Sequence, residues 1–169
     1  MSRDDEYADY LRGHYGRMLR TARLLAGGDV HWAEDLVQTA CTKLYVHWGK
    51  VRQGDGAASY ADRILINVFI DERRRFWRRR ETSTDEFLDA VPAGGPDPAE
   101  RLTLLDALGQ LPRRQRAVVV LRYFRDLDVA TVAVLMDCSE GTVKSQTARA
   151  LGKLRDLVDD PLDNLERVR

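Results

Sequence analysis

At 169 residues, with 44% hydrophobic and 32% charged side chains, the chain can bury a sizeable core, which excludes a disordered or fibrous protein. Its 27 basic and 27 acidic groups cancel, yet residues 1–80 and 101–155 are basic, whereas residues 81–100 carry six acidic groups and no basic one. Cys41 and Cys138 stand far apart and the N-terminus has no apolar signal core, so we predict a cytoplasmic protein without a disulfide framework, a zinc site or a membrane span.

The first part of the chain predicts two long helices. Apolar residues at helical spacing outline the first, which Gly27 and Gly28 end by allowing positive φ angles. Asp29 is placed to cap the second, whose broad apolar stripe runs from Trp32 to Trp48. The opposite face of this second helix is polar, and periodicity alone favours simple solvent exposure for it.

A third helix follows a loop at residues 51–60. Ser59 and Asp62 resemble a capping box at its start, and the helical pattern continues to about Arg80. One face is apolar. The other combines basic, amide and aromatic side chains, namely Arg63, Asn67, Ile70, Arg74 and Arg78, with Ile66 and Trp77 at the margin. Such a mixture can pair with phosphates, bond a base edge and stack on a base, which favours a nucleic-acid strand over a merely solvated charge run.

Residues 81–100 contain three prolines and two glycines, lack helical periodicity, and predict a flexible acidic linker between two domains. Beyond them Leu102, Leu105 and Leu108 outline a further helix, and Pro112 is predicted to occupy the first position of the next. The apolar run at residues 118–121 has strand propensity, but the helical pattern around it favours a helix. Residues 159–169 predict a frayed acidic tail.

Two short helical patterns joined by a tight turn occupy residues 128–154. Asp137 tolerates a left-handed turn conformation, and Ser139 is placed to cap the second helix. That helix presents a small, basic outward face, formed by Lys144, Ser145, Ala148, Arg149, Gly152 and Arg155. Small residues permit close approach to a major groove, and cations neutralise phosphates. We therefore favour a DNA-reading helix-turn-helix over an ordinary helical hairpin with a solvated basic face.

Three stretches, in this order and spacing, carry a resemblance to a known family. They are AEDLVQTACTKLYVHW at residues 33–48, ILINVFIDERRRF at residues 64–76, and LPRRQRAVVVLRYF with CSEGTVKSQTARAL within residues 111–151. With them the chain resembles the bacterial extracytoplasmic-function (ECF) sigma factors of the sigma-70 family, and more closely the SigE-like sigma factors of actinobacteria. The resemblance covers nearly the whole chain and is far more specific than a lone helix-turn-helix.

This resemblance implies an all-α fold of two small helical domains joined by the flexible acidic linker. Residues 1–80 are similar to sigma region 2, which binds core RNA polymerase and recognises and melts the minus-10 promoter element. Residues 101–158 are similar to region 4, which reads the minus-35 element. The implied partners are the clamp and flap regions of core RNA polymerase and promoter DNA, with an anti-sigma protein as a candidate further partner. The resemblance implies no cofactor, metal, membrane contact or catalytic residue.

Matching positions imply three functional surfaces. The minus-10 set comprises Tyr60, Arg63, Asn67, Ile70, Arg74, Trp77 and Arg78. The minus-35 set comprises Thr142, Lys144, Ser145, Ala148, Arg149 and Arg155. The core-polymerase set comprises Asp35, Gln38, Thr39 and Thr42 on the second helix, a role that replaces the solvent-exposed interpretation of that face. Gln146 stands where many relatives outside the subgroup carry a basic residue, so no specific minus-35 sequence can be transferred.

Two other classes of protein compete with the sigma-factor interpretation. A stand-alone helix-turn-helix regulator would bind specific duplex DNA without polymerase, while its N-terminal half dimerised or sensed a ligand. An enzyme acting on nucleic acid would need a catalytic or metal-binding constellation, but His14, His31 and His47 stand apart, with no carboxylate cluster at metal spacing. We therefore predict a sigma factor, with the stand-alone regulator as the alternative.

Overall fold

The structure is a computed structural model, and the part of the chain that it describes consists of helices and short connections. It describes residues 2–51, 57–80 and 104–158, with side chains for residues 2–51, 60–71 and 104–157. The helices are α1 (Arg3–Leu25), α2 (Val30–Val51), α3 (Ala57–Arg80), α4 (Leu104–Gln110), α5 (Arg113–Val119), α6 (Val129–Met136) and α7 (Glu140–Val158), with a π-helical turn at Val120–Phe124. No strand occurs within these ranges, which confirms the all-α prediction. The linker and tail predicted at residues 81–100 and 159–169 lie outside them.

Helices α1, α2 and α3 pack against one another, and we call them the N-terminal bundle. Gly27 and Gly28 separate α1 from α2 with φ angles of 61° and 89°, as predicted from their freedom to adopt positive φ. Asp29 caps α2, because its carboxylate accepts the backbone N–H of Trp32 at 3.0 Å. The apolar faces of the three helices meet in fully buried residues, namely Met18, Leu25, Leu36, Leu44, Leu65 and Phe69.

The predicted capping box at the start of α3 is wrong. Helix α3 begins at Ala57, so that Ser59 already lies inside the helix. The Asp62 carboxylate is paired with the guanidinium of Arg125 instead. The spacing of Ser59 and Asp62 matches a cap, but a distant arginine determines what the carboxylate contacts.

Helices α4 to α7 and the π-helical turn form a second unit, the C-terminal group. The apolar run at residues 118–121 is helical, as predicted. Pro112 lies one position earlier than expected: it precedes α5, and its carbonyl accepts the Arg116 N–H at 2.9 Å. The π-helical turn at the end of this stretch is closed by the Arg125 N–H, which donates to the Val120 carbonyl at 3.0 Å.

A single apolar core joins the N-terminal bundle to the C-terminal group. Buried Val118, Leu121 and Val132 belong to the same contiguous cluster as the centre of the bundle. Helix α3 packs against both α5 and α6, and α1 packs against α4 and α5. The sequence predicts two units, and the structure adds that they share a core. A smaller cluster of Leu108, Leu111, Val119 and Ala150 lies within the C-terminal group.

Arg116 is the most deeply buried cation at this junction. Its guanidinium donates to the carbonyls of Leu25 at 2.7 Å, Gly109 at 2.7 Å and Leu111 at 3.0 Å. Leu25 ends α1, so Arg116 satisfies a carbonyl that the helix itself leaves unpaired. Burial, with a smaller contribution from the charge of Arg113, lowers the pKa of Arg116 to about 10, which still leaves it charged at neutral pH.

Both cysteines are free thiols. Cys41 is buried and Cys138 is half-buried. Burial raises the pKa of the Cys41 thiol. Among the helices that the structure describes, none carries an apolar stretch of the length that a bilayer span requires.

Replacing Arg116 by methionine should lower the free energy of unfolding by about 3 kcal/mol, because two buried carbonyls and one partly buried carbonyl lose their donor. Urea denaturation followed by circular dichroism measures the loss. Arg114→Met, on an exposed position of α5, is the matched control and should change stability by less than about 0.5 kcal/mol. Equal losses in the two variants would contradict the structural role of Arg116.

Candidate nucleic-acid interface

Helices α6 and α7 form the predicted helix-turn-helix. Asp128 begins α6 by accepting the Thr131 N–H at 2.7 Å, and this hydrogen bond holds the pKa of Asp128 below its ordinary value. Asp137 adopts the left-handed conformation in the turn, with φ 51° and ψ 54°. Ser139 begins α7, because its hydroxyl accepts the Thr142 N–H at 3.1 Å. Local side-chain chemistry therefore fixes the turn as the sequence predicts.

Helix α7 separates a buried face from an exposed one. Val143 and Ala150 are fully buried beneath it. Thr142 is half-buried, with its hydroxyl 2.9 Å from that of Ser139. A Cβ added to Gly152 would meet nothing within 4 Å, so the missing side chain leaves room outside the protein. The other members of the minus-35 set are exposed, namely Lys144, Ser145, Ala148, Arg149 and Arg155.

On α3 the structure divides the predicted minus-10 set. Arg63 and Asn67 are exposed, whereas Tyr60 is half-buried and packs against the core. The side chains of the remaining members, Arg74, Trp77 and Arg78, lie outside the residues whose side chains the structure describes. Within residues 60–71 of this helix, the exposed polar side chains are Arg63, Asn67 and Asp71.

The apolar stripe of α3 is wider than the sequence predicts. Ile70, expected on the outward face, is half-buried against the core, and Ile66, expected at the margin, is only 1% exposed. The reason is that α3 packs against α1 and α2 and also against α5 and α6. A hydrophobic periodicity that is interpreted as one buried face underestimates the burial of a helix that packs between two units.

Helix α2 presents the predicted core-polymerase set opposite its buried stripe. Asp35, Gln38 and Thr42 are exposed, and Thr39 is half-buried. The Thr42 hydroxyl donates to the Gln38 carbonyl at 3.0 Å, so that it bonds within its own helix. The opposite face is fully buried through Leu36, Val37, Ala40 and Leu44.

The side-chain contacts that join the two units are not predicted by the sequence. The Arg125 guanidinium donates to both Asp62 carboxylate oxygens, at 2.9 and 2.7 Å, and only 14% and 9% of the two side chains is exposed. Arg113 donates to the Phe69 carbonyl at 2.9 Å. The partners are so distant in sequence that no local pattern links them. The only indication of these contacts in the sequence is the presence of arginines beside an apolar run.

Within the described ranges, no group of three or more His, Cys, Asp or Glu side chains is arranged to hold a metal ion. Within these ranges α3 and α7 expose cations, α3 also exposes the amide of Asn67, and α2 exposes a polar face. Such groups bind phosphates, base edges and protein surfaces.

Comparisons with known proteins cover both units. The model of Sigma-70 region 2 matches residues 10–79, and the model of Sigma-70 region 4 matches residues 101–154. The chain is 36% identical over 155 residues to the RNA polymerase sigma-E factor of Streptomyces avermitilis, covering 89% of this chain and 84% of that protein. It is 35% identical over 163 residues to the sigma-E factor of Streptomyces coelicolor, covering 94% and 89%.

A solved structure shares the fold. It is the sigma factor RpoE of Bartonella quintana in complex with the anti-sigma factor NepR, with a TM-score of 0.72 and 23% identity over 91% of this chain and 97% of that one. Both regions of the family match in the family's order, and the relatives are more than 30% identical. These matches determine the family of the chain. The chain belongs to the sigma-70 family of RNA polymerase sigma factors, as a member of its SigE-like ECF type.

The substitution Ser139→Ala should lower the free energy of unfolding by about 1 kcal/mol, because α7 loses its N-terminal cap. Thermal or urea denaturation provides the measurement. Ser145→Ala, in which an exposed hydroxyl that donates to the Thr142 carbonyl is removed from the same helix, is the control and should change stability by less than about 0.5 kcal/mol. Equal free energies of unfolding for Ser139→Ala and Ser145→Ala would show that Ser139 does not cap α7.

Proposed function

We propose that this chain is a sigma factor that binds core RNA polymerase and directs promoter-specific transcription initiation. The observation that supports this most is the presence of both sigma-70 regions in one chain, each with an exposed polar face on the helix expected to contact DNA. Region 2 corresponds to residues 1–80 and region 4 to residues 101–158, joined by residues 81–100 and followed by a tail at residues 159–169. The stand-alone regulator is not favoured, because it does not account for the match of residues 10–79 to Sigma-70 region 2.

In this proposal α7 enters the major groove of the minus-35 element. Lys144, Arg149 and Arg155 supply cations for phosphates or guanine edges, and Ser145 and Ala148 are small enough for close approach. Thr142 stands at the start of the helix, where its backbone N–H is already bonded to Ser139. The cap thereby orients the helix that reads the DNA.

The minus-10 element is assigned to α3. Arg63 is exposed for a phosphate and Asn67 for a base edge. Tyr60 and Ile70 offer apolar edges at the boundary of the core. Arg74, Trp77 and Arg78 extend this set by sequence alone. Extruding a base costs a few kcal/mol of stacking, which these contacts must recover. Promoter melting is then a binding reaction that requires no covalent chemistry from this chain.

We assign the exposed residues of α2, Asp35, Gln38 and Thr42, with half-buried Thr39, to the clamp of core RNA polymerase, and region 4 to its flap. The similar structure holds a sigma factor with its anti-sigma factor, and we propose an anti-sigma protein as a further partner of this chain. All of these partners act in the cytoplasm, which is the proposed location.

The experiment that tests the proposal is capture of purified core RNA polymerase by the purified chain, followed by genome-wide run-off transcription with the reconstituted holoenzyme. Polymerase capture with new, defined start sites is the expected result. Specific binding to duplex DNA without polymerase capture would favour the stand-alone regulator and overturn the proposal.

Arg149→Ala should reduce run-off transcription from promoters that depend on the minus-35 element about fivefold or more, because loss of one good base contact costs about 1–3 kcal/mol. Capture of core polymerase should be unchanged. Arg23→Ala, an exposed arginine on α1, is the matched control. Equal transcription from wild-type and Arg149→Ala holoenzyme would remove Arg149 from the minus-35 surface.

Asn67→Ala should impair promoter opening more than binding of the closed duplex, because the amide is proposed to contact an unpaired base. Permanganate footprinting measures the melted bubble, and gel shift measures duplex binding. Gln110→Ala removes an exposed amide from α4 and should leave both unaffected. An unchanged bubble in the Asn67 variant would rule out this role.

A further inference from the structure

The side chain of Tyr45, on α2, is held in place by the first two turns of α1. Its hydroxyl donates to the Asp4 carboxylate at 2.8 Å, and the Arg3 guanidinium lies 5.0 Å from the centre of its ring. Arg3 also donates to the Tyr45 carbonyl at 2.6 Å. The ring of Tyr7 meets the Tyr45 ring edge to face, with 5.1 Å between the ring centres, and packs in the same way against buried Trp48. These contacts fix Tyr45 in one orientation on a support that reaches into the core.

Tyr45 remains accessible although it is held in this way. Its exposed fraction is 39%, and that of the next residue, Val46, is 65%. Val46 follows Gln38 and Thr42 at intervals of four residues, and Tyr45 follows Thr42 at an interval of three. Residues at these spacings are neighbours on the surface of a helix. The two side chains therefore continue the α2 face that carries the core-polymerase set by one helical turn, and they give it an apolar end.

Contacts within the chain explain the position of Tyr45 but not the exposure of Val46. Valine is a poorer helix former than lysine, glutamate or glutamine, because its branched side chain is restricted in a helix. A single exposed apolar residue needs no explanation, whereas an apolar pair beside a polar interaction face has the composition of an interface core. Tyrosine in particular is enriched among the residues that dominate binding energy. The pair thus has the character of a binding anchor.

The charges around this apolar pair distinguish between a protein and DNA as its partner. Charged side chains of both signs border it, namely Arg3 and Asp4 beside Tyr45, and Lys43 and Lys50 one helical turn from Val46. A DNA backbone is matched by cations alone, whereas a protein surface can match an apolar centre with a rim of mixed charge. The partner is therefore a protein surface, and continuity with the core-polymerase set selects core RNA polymerase.

We propose that Tyr45 and Val46 form an apolar anchor that extends the core-polymerase surface of α2, and that Arg3 and Asp4 are the residues that position Tyr45. This inference rests on the proposed function, which assigns the adjoining face of α2 to core RNA polymerase. Because α1 already holds Tyr45, binding restricts its rotamers little and loses less conformational entropy. Contacts of such short range slow dissociation of the complex more than they speed its formation.

Surface plasmon resonance with immobilised core RNA polymerase and the full chain in solution tests the anchor. Tyr45→Ala should raise the Kd about tenfold or more, and Val46→Ala about fivefold, mainly through faster dissociation. Val30→Ala is the matched control and should bind like wild type, because it removes a 48% exposed valine from the opposite side of the same helix. Circular dichroism and thermal denaturation verify that each variant is folded.

A double-mutant cycle tests the positioning role. Asp4→Ala and Tyr45→Phe each remove one end of the same hydrogen bond, and each should raise the Kd about threefold. The double variant should bind no more weakly than either single variant, because the bond can be lost only once. Asp4→Asn keeps an acceptor oxygen and should restore the wild-type Kd. A role confined to folding would lower thermal stability without this pattern in the Kd, and losses that add in the double variant would refute positioning.

Three results would contradict the anchor. Wild-type Kd values in both Tyr45→Ala and Val46→Ala, with polymerase still bound, would refute it and leave the proposed function intact. Changes confined to self-association of the free chain would assign the pair to a second copy, and changes confined to the affinity of the holoenzyme for promoter DNA would assign it to DNA. Absence of polymerase binding by the wild-type chain would refute the proposed function itself, and the anchor with it.

Discussion

Buried guanidinium groups hold this structure in its observed arrangement. Arg116 satisfies a carbonyl at the end of α1, and Arg125 satisfies a carboxylate on α3 that would otherwise be buried without a partner. A guanidinium can do this because it remains charged, is planar and offers several donors at fixed angles. The position of α6 and α7 on the N-terminal bundle follows from these contacts, and so does the spacing of the helices proposed to read the promoter.

Such contacts determine the relative orientation of the two units more than they contribute to the free energy of folding. Removing charges from water costs several kcal/mol, and a largely buried ion pair roughly recovers that cost, so its net contribution to folding is small. Breaking one member of the pair is far more disruptive, because it leaves the other without compensation. Burial of the shared apolar core stabilises the association of the two units. The arginines determine the orientation in which the units associate.

Features determined within a few residues could be predicted from the sequence. Asp137 adopts a left-handed conformation and Ser139 caps α7, because each outcome depends on the residue and its immediate neighbours. Features that depend on distant partners could not. Asp62 has the spacing of a cap but bonds Arg125, and Ile70 has the periodicity of an outward residue but packs against the core. The exposed positions of Asn67 and Arg149 follow from periodicity, whereas their proposed roles come from family resemblance.

The measurement that tests the account most directly is the distance between the two units in the free chain. Spin labels on cysteines at the exposed positions Lys43 and Lys153, with Cys41 and Cys138 replaced, would report it by pulsed electron resonance. The account predicts one short distance with a narrow distribution, because the shared apolar core and the arginine contacts hold the two units together. A long distance or a broad distribution would contradict it.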